Sequence, residues 1–212
     1  MGSTVLLIRH PESAWNKKGI YQGQTDIPLS PLGHVQAERV AMRLRHEPIS
    51  GIMSSPLRRA RSLAQAIARH HHLTPTVDER LTEIAHGTWE GLSRHQVQER
   101  FPEMYQAWAE RPHDVCFEGG ESLADVLDRA IVPVQELLAR PDGVWIVVTH
   151  DVVCKLLVAV ADRLGRDGYS AVNLENAGIT TLVGPTLEGS VRRLNDVEHL
   201  GEHRVNLGAQ AL

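Results

Sequence analysis

The chain has 212 residues, of which 42% are hydrophobic and 23% charged, and its formal net charge is -4. These values are ordinary for a globular protein, so they exclude a disordered or low-complexity chain. The length favours a single α/β domain, 1–212, with a full core. The slight acidic excess provides no overall positive field for nucleic acid or an anionic membrane, so any anion site must be local.

Cysteine content and apolar run lengths indicate the cellular setting. Cys116 and Cys154 are too few for a disulfide scaffold and match no metal-ligand spacing. The N-terminus does not resemble a signal peptide, and Leu156 to Ala161 is an apolar run too short to span a membrane. We therefore expect a cytoplasmic protein with no metal site, no membrane contact and no nucleic-acid partner.

Short runs rich in branched apolar residues alternate with segments of helical period, and this alternation predicts a layered sheet. The predicted strands are Thr4 to Ile8, Gly51 to Ser54, Val144 to Thr149, Ile179 to Val183 and Val191 to Asn195. The run from Val144 is apolar on both faces, which is typical of a central strand covered by helices on both sides.

Four helices follow from the apolar spacing. The first comes after Gly33, and the second is predicted to use Ser55 as its N-cap and Pro56 as its first residue. Ser122 is the predicted cap of the third, and the fourth is predicted to run from about Asp151 and to bury apolar residues as far as Leu164. The polar, aromatic-bearing stretch between the second and third helices, about 83–121, reads as an excursion over the sheet rather than part of its core.

Polar clusters follow three of the predicted strands, where α/β sheets bind ligands. Arg9 and His10 close the first strand, His150 closes the central strand, and Arg58 and Arg59 fall at the start of the second helix. Each has an ordinary explanation alone, since histidines in loops and arginines at helix starts mostly face solvent. Their coincidence favours one shared crevice, and arginine pairs well with phosphate oxygens.

Several short motifs occur along the chain in an order that resembles that of a known family. The segments are Arg9-His10-Pro11-Glu12-Ser13-Ala14-Trp15-Asn16, Tyr21-Gln22-Gly23-Gln24-Thr25-Asp26, Ser54-Ser55-Pro56-Leu57-Arg58-Arg59-Ala60, Glu83 with Gly87-Thr88-Trp89-Glu90-Gly91, Gly119-Gly120-Glu121-Ser122, and His150. Together they resemble the histidine phosphatase superfamily, whose fold is phosphoglycerate-mutase-like. The resemblance implies a three-layer α/β/α sandwich with a mostly parallel central sheet, and a homodimer.

The resemblance also implies roles for individual residues. By position, His10 is the nucleophile that becomes phosphohistidine, and Glu83 is the proton donor to the leaving oxygen. The phosphate pocket and its surroundings then comprise Arg9, Asn16, Arg59, His150, Gln22, Gly23 and Asp151. This chemistry needs no metal and no cofactor, because cationic groups offset the charge on the phosphoryl oxygens.

Two departures from the family pattern lie beside the expected reaction centre. Pro11 stands where Gly or Ala is usual and removes one backbone N–H. Asp151 stands where Gly is often found, and its carboxylate would repel phosphate unless the side chain turned away to cap the following helix. A catalytically decayed binding protein therefore remains an alternative to an active enzyme.

The residues after Glu83 bear on the substrate. Mutases of the family carry an Arg-His-Tyr-Gly segment and an insert that this shorter chain lacks, so hydrolysis is favoured over mutase activity. His86, together with the segments 112–123, 175–177 and 194–202, resembles the metal-independent phosphoserine phosphatases of the superfamily. His86 would hydrogen-bond the substrate carboxylate, and we expect the partner of its ammonium group near His199 to Glu202. Another small phosphorylated acid or sugar is the alternative substrate.

Other phosphatase chemistries lack their motifs in this sequence. No Asp-x-Asp-x-Thr nucleophile loop occurs, and neither Cys116 nor Cys154 is followed by Arg at the spacing that cysteine phosphatases need. A G-x-x-x-x-G-K-[ST] phosphate loop is also missing. The sequence therefore predicts a metal-independent phosphatase for a small phosphorylated substrate, with L-phosphoserine favoured.

Overall fold

The computed structural model describes residues 2–205, apart from the side chains of residues 166 and 167. Within this range the strands are β1 Thr4–Arg9, β2 Ile49–Ser54, β3 Thr76–Val77, β4 Val144–Thr149, β5 Ile179–Val183 and β6 Val191–Asp196. They form one sheet in the order β3-β2-β4-β1-β5-β6. The four strands from β3 to β1 are mutually parallel, whereas β5 and β6 are antiparallel to their neighbours. The predicted mostly parallel sheet is confirmed.

The α-helices cover both faces of this sheet. They are α1 Pro31–Leu44, α2 Arg58–His71, α3 Arg94–Arg100, α4 Pro102–Glu110, α5 Leu123–Leu138 and α6 Asp151–Ala161. Leu6 and Ile8 of β1 pack in one apolar cluster with α1 and α2, while Val5 and Leu7 pack in a second with α5 and α6. Because successive side chains of a strand point to opposite faces, β1 contributes to both cores, and the predicted three-layer sandwich is confirmed.

The start of α2 differs from the sequence prediction. The helix begins at Arg58, with Leu57 as its N-cap, and not at Ser55 and Pro56. Asp26, distant in sequence, accepts a hydrogen bond from the Arg58 N–H at 2.7 Å. The Ser55 hydroxyl is instead engaged with His150. A contact over a long sequence separation has therefore replaced the local cap.

Two further elements were misjudged from the sequence. Helix α6 ends at Ala161, and Leu164, predicted to be buried on its apolar face, is 46% exposed. The chain leaves the helix through Arg163, whose φ of +61° is incompatible with continuation. Strand β3 was not predicted, because two exposed residues are too few to show a period of two.

The segment 83–121 contributes to the core, contrary to the prediction that it lies over the sheet outside it. It contains α3 and α4, and Trp89, Val97, Trp108 and Phe117 are buried in the same apolar cluster as α5 and α6. Its aromatic residues pack on one another and on Tyr21. The segment is thus fixed against the body of the protein beside the carboxyl ends of β1 and β4. Across residues 2–205, no helix is both long and apolar enough to cross a membrane.

Candidate active site

A pocket opens at the carboxyl ends of β1 and β4, beside the N-termini of α2 and α6. Its lining consists of Arg9, His10, Asn16, Gln22, Gly23, Arg59, Glu83, His86, Asp151 and Val152. Every residue to which the superfamily resemblance gave a role in catalysis or phosphate binding is in this set except His150. The ring of His150 lies directly behind His10, with the two ring centroids 5.1 Å apart. The structure therefore brings all these predicted residues together, while their chemical roles stay predictions.

His10 is a buried, oriented and uncharged imidazole. Its Nδ1–H donates to the carbonyl oxygen of Pro11 at 2.6 Å, because a carbonyl can only accept. Burial, and then the nearby charges of Arg59 and Arg9, hold the pKa of His10 well below its usual value. The tautomer that results leaves a lone pair on Nε2, which a nucleophile requires. Pro11 lacks an N–H, but its carbonyl fixes this tautomer.

Two buried arginines supply the positive charge of the pocket. Arg59 donates from Nη1 to the Thr25 carbonyl at 2.9 Å and from Nη2 to the Gly23 carbonyl at 2.7 Å. Burial lowers the pKa of Arg59 to about 10, so it remains protonated at neutral pH. Arg9 donates from Nη1 to the Leu174 carbonyl at 2.7 Å. Arg58, the neighbour that the sequence left as an equal candidate, is exposed and pairs with Asp26.

Glu83 has a buried carboxyl group with a raised pKa. Its Oε1 accepts from the Ile84 N–H and its Oε2 from the Asp151 N–H, both at 3.0 Å. Burial, followed by the negative charge of Asp151, raises the pKa of Glu83 to about 7. At neutral pH the group is therefore present both as acid and as carboxylate, which suits a residue that must donate and then accept a proton.

Asp151 avoids the conflict with phosphate differently from the sequence prediction. Its side chain does not cap α6; it forms ion pairs with Arg9 at 2.9 Å and with Lys155 at 3.1 Å. Burial alone would raise the pKa of Asp151, but Arg9 and Lys155 outweigh it, so the pKa lies below its usual value. The carboxylate is thus charged and neutralised by two cations, while its backbone N–H faces Glu83.

His150 forms a hydrogen bond that was not predicted from the sequence. Its Nε2 lies 2.6 Å from the hydroxyl oxygen of Ser55, at the end of the neighbouring strand β2. Burial and the charge of Arg59 hold the pKa of His150 well below its usual value. Because β2 and β4 are parallel neighbours, their carboxyl ends meet, and this adjacency gives Ser55 its role. From the sequence, the contact between Ser55 and His150 could have been inferred only by predicting that these two strands are neighbours.

His86 stands beside Glu83 in an aromatic wall. Its ring packs against Phe117 at 4.8 Å, Tyr21 at 5.3 Å and Trp108 at 6.1 Å between centroids. Burial and the charge of Arg59 lower the pKa of His86 to about 3, so the ring is neutral. Neither ring nitrogen has a hydrogen-bond partner within the described residues, although the side chain is buried. A buried imidazole with both nitrogens unsatisfied is suited to binding a polar group that enters the pocket.

The loop 22–25, which carries the carbonyl acceptors of Arg59, is fixed by Glu90. The Glu90 carboxylate accepts from the backbone N–H groups of Gln24, Thr25 and His86. The Ser13 hydroxyl donates to the side-chain Oε1 of Gln22 at 2.6 Å, and the side-chain Oδ1 of Asn16 accepts from the Ser13 N–H. Glu90 lies inside a sequence motif, but the sequence does not indicate this role, because Gln24 and Thr25 are distant from it along the chain.

The segment that was predicted to bind a substrate ammonium group, His199 to Glu202, does not line the pocket: in the described part of the chain, none of the pocket-lining residues comes from it. His199 instead donates from Nε2 to the Ala177 carbonyl at 3.1 Å. Within residues 2–205, no group of three or more His, Cys, Asp or Glu side chains is arranged to hold a metal ion.

Comparison with known proteins identifies the family. The family model of the histidine phosphatase superfamily (branch 1) matches residues 5–197. The chain therefore belongs to this superfamily, as the motifs predicted.

Individual relatives agree with this class. The chain is 35% identical over 202 residues to phosphoserine phosphatase 1 from Hydrogenobacter thermophilus, covering 95% of this chain and 96% of that protein. It is 33% identical over 201 residues to glucosyl-3-phosphoglycerate phosphatase from Mycobacterium tuberculosis, covering 88% and 87%. The solved structure of Bacillus stearothermophilus YhfR has a TM-score of 0.87 at 30% identity, covering 93% of this chain and 99% of that one. These two curated relatives are thus phosphatases named for different substrates.

Proposed function

We propose that this protein is a metal-independent phosphomonoesterase that forms a phosphohistidine at His10 and hydrolyses L-phosphoserine to L-serine and phosphate. The observation that carries the proposal is the neutral His10 imidazole, whose Nδ1 is bound to the Pro11 carbonyl and which lines one pocket with Arg9 and Arg59. Glu83, with a pKa of about 7, lines the same pocket. A nucleophile, two cations and a proton donor are the groups that phosphoryl transfer to histidine requires.

The reaction follows from these groups in two steps. First, Nε2 of His10 attacks phosphorus, the N–P bond forms, and the P–O bond to the leaving group breaks as Glu83 donates its proton to that oxygen. Arg9 and Arg59 offset the charge on the equatorial oxygens. Then the Glu83 carboxylate takes a proton from water, the resulting oxygen attacks phosphorus, and the P–N bond breaks to regenerate His10. Asn16, which lines the same pocket, adds a contact to phosphate, and His150 packs beside the His10 ring.

His86 supports the choice of phosphoserine. Its side chain lines the pocket together with Glu83, which protonates the leaving oxygen, and neither of its buried ring nitrogens has a hydrogen-bond partner within the described residues. One N–H of the neutral ring donates to the substrate carboxylate. The 35% identity to a phosphoserine phosphatase over nearly the whole chain supports the same assignment.

A second candidate is a phosphatase for another small phosphorylated acid. The relative named glucosyl-3-phosphoglycerate phosphatase, at 33% identity, favours this alternative. A carboxylate on such a substrate would use the same His86 donor, so only direct comparison of substrates separates the two.

The test is phosphate release from L-phosphoserine, 3-phosphoglycerate and fructose phosphates, side by side and with EDTA present. We expect phosphoserine to lead by orders of magnitude, and His86→Ala to raise KM for phosphoserine selectively. His113→Ala, at an exposed histidine outside the pocket, is the matched control. Equal, slow turnover of all substrates would refute the substrate assignment, and loss of activity in EDTA would refute metal independence.

The covalent step has a separate test. His10→Ala should abolish turnover of p-nitrophenyl phosphate as well as phosphoserine, and rapid acid-free quenching of the wild-type protein should trap a phosphorylated histidine. Retained turnover in His10→Ala would contradict the mechanism and indicate a different nucleophile, whereas no turnover by the wild-type protein would leave a binding protein. The cytoplasmic location and the homodimer stay predictions, and sedimentation velocity tests the latter.

A further inference from the structure

Arg129 lies on α5, outside the pocket lining. Its guanidinium group forms hydrogen bonds with the main chain around Glu83 and with Glu121. From Nη1 it donates to the carbonyl oxygens of Arg80 at 2.8 Å and Thr82 at 2.6 Å. From Nη2 it donates to the Glu83 carbonyl oxygen at 3.1 Å. Its remaining N–H groups, on Nε and Nη2, bind the two carboxylate oxygens of Glu121 at 2.7 and 2.9 Å. All five donors of the side chain are thereby satisfied.

Glu121 extends the same network to the backbone after Glu83. Its Oε2 accepts from the Ala85 N–H at 2.9 Å, and its own N–H donates to the Ala85 carbonyl at 3.0 Å. Gln24, from the loop that carries the carbonyl acceptors of Arg59, donates to the Glu83 carbonyl at 3.1 Å. The backbone on both sides of Glu83 is therefore tied to one ion pair.

The segment around Glu83 needs such external support. Residues 82–86 belong to no helix or strand, so no ladder of backbone hydrogen bonds holds them. The carboxyl group of Glu83 is buried and accepts one N–H from its own segment, that of Ile84, and one from Asp151 of α6, so a shift of the segment would move the carboxyl group relative to α6. Hydrogen bonds from a charged donor such as Arg129 restrain the carbonyl groups of this segment more strongly than neutral hydrogen bonds do.

We propose that Arg129, held in place by Glu121, is a positioning residue for proton donation by Glu83. It fixes residues 80–85 so that the Glu83 carboxyl group stays within reach of the leaving-group oxygen. The inference rests on the proposed function, because it assumes that Glu83 protonates this oxygen as the P–O bond breaks. Arg129 itself touches neither the substrate nor the reacting atoms.

Leaving-group acidity distinguishes this role from general structural support. An alkoxide is a poor leaving group and depends on a well-placed proton donor, whereas p-nitrophenolate departs without one. A displaced Glu83 therefore lowers kcat/KM for an alkyl phosphate much more than for p-nitrophenyl phosphate. A loosened fold or a damaged phosphate site lowers both equally, because the two substrates share the phosphoryl group.

The experiment measures kcat/KM for p-nitrophenyl phosphate and for the best alkyl phosphate of the wild-type protein. The variants are Arg129→Met, Arg129→Lys and Glu121→Gln. The control is Arg193→Met, which removes an arginine that pairs with Asp196 and Glu198 and lies on β6, at one edge of the sheet. We expect the alkyl-to-aryl ratio to fall at least about 10-fold in Arg129→Met, within the range that a proton donor contributes. The ratio should fall less in Arg129→Lys, because lysine keeps the positive charge and has three donors instead of five.

An equal fall for both substrates, or an unchanged ratio, would overturn the proposal. The same ratio change in Arg193→Met would overturn it as well. Thermal unfolding of each variant identifies any that does not fold, and Arg129→Lys and Glu121→Gln then decide the question. If the wild-type protein hydrolyses neither substrate, the proposed function itself has failed; active wild type with unchanged ratios in the variants refutes this inference alone.

Discussion

Asp151 couples the charges of the pocket at the level of a single residue. Its carboxylate pairs with Arg9 and Lys155, while its N–H donates to Glu83. After burial, its negative charge is the second cause that raises the pKa of Glu83 to about 7. A residue whose charge conflicts with phosphate binding therefore helps to keep Glu83, the proposed proton donor, protonated near neutral pH.

Removing this charge should change the pH dependence of the reaction. In Asp151→Asn the pKa of Glu83 falls, because a negative neighbour is lost and Arg9 is left less compensated. Since Glu83 must be protonated to donate, kcat/KM for an alkyl phosphate is lost as pH rises through its pKa, and this loss should begin at lower pH in the variant.

The measurement is kcat/KM between about pH 5 and pH 9, with the exposed Asp162→Asn as control. A basic limb that stays in place or moves to higher pH would contradict the role given to Asp151.

The loop 22–25 connects the phosphate pocket to the segment 83–121 at the level of structural elements. Gly23 has a φ of +49°, and a Cβ there would lie 2.0 Å from the Oε1 atom of Glu90. The same loop offers the carbonyl groups of Gly23 and Thr25 to Arg59. The position of Arg59 thus depends on a close approach that a residue with a side chain would prevent.

Gly23→Ala should therefore displace this loop and reduce activity. Gly119→Ala is a matched control, because Gly119 also has a positive φ, of +68°, but a Cβ there meets nothing within 4 Å. Both changes impose a backbone strain of about 1 kcal/mol. We expect Gly23→Ala alone to lower kcat/KM at least about 10-fold, through weaker orientation of the phosphate. Equal activity of the two variants would show that Glu90 does not constrain the loop.

At the scale of the whole molecule, stability depends on two apolar clusters, one on each face of the sheet. Leu157 of α6 is fully buried in one of them, whereas Leu164, after the end of α6, is 46% exposed. Leu157→Ala should lower the free energy of unfolding by about 2 to 5 kcal/mol, because it leaves a cavity. Leu164→Ala should change it by less than about 0.5 kcal/mol.

Chemical denaturation of both variants measures these values. A large loss for Leu164→Ala would favour the longer, buried helix that the apolar spacing predicted.

The sequence by itself determined the features that depend on local pattern. Runs of branched residues located β1, β4 and β5, and Ser122 is the N-cap of α5 as predicted. The motif order identified the superfamily and selected the residues that line the pocket, because the carboxyl ends of parallel strands meet at one edge of a sheet.

The tertiary structure decided whatever depends on partners distant in the chain. Ser55 binds His150 instead of capping α2, and Asp26 caps α2 in its place. Burial and Asp151 set the pKa of Glu83, and Arg129 reaches three carbonyl groups of its segment. Hydrogen bonds between such distant residues leave no periodicity in the sequence, and burial depends on the packing of the whole fold, so neither can be derived from local pattern.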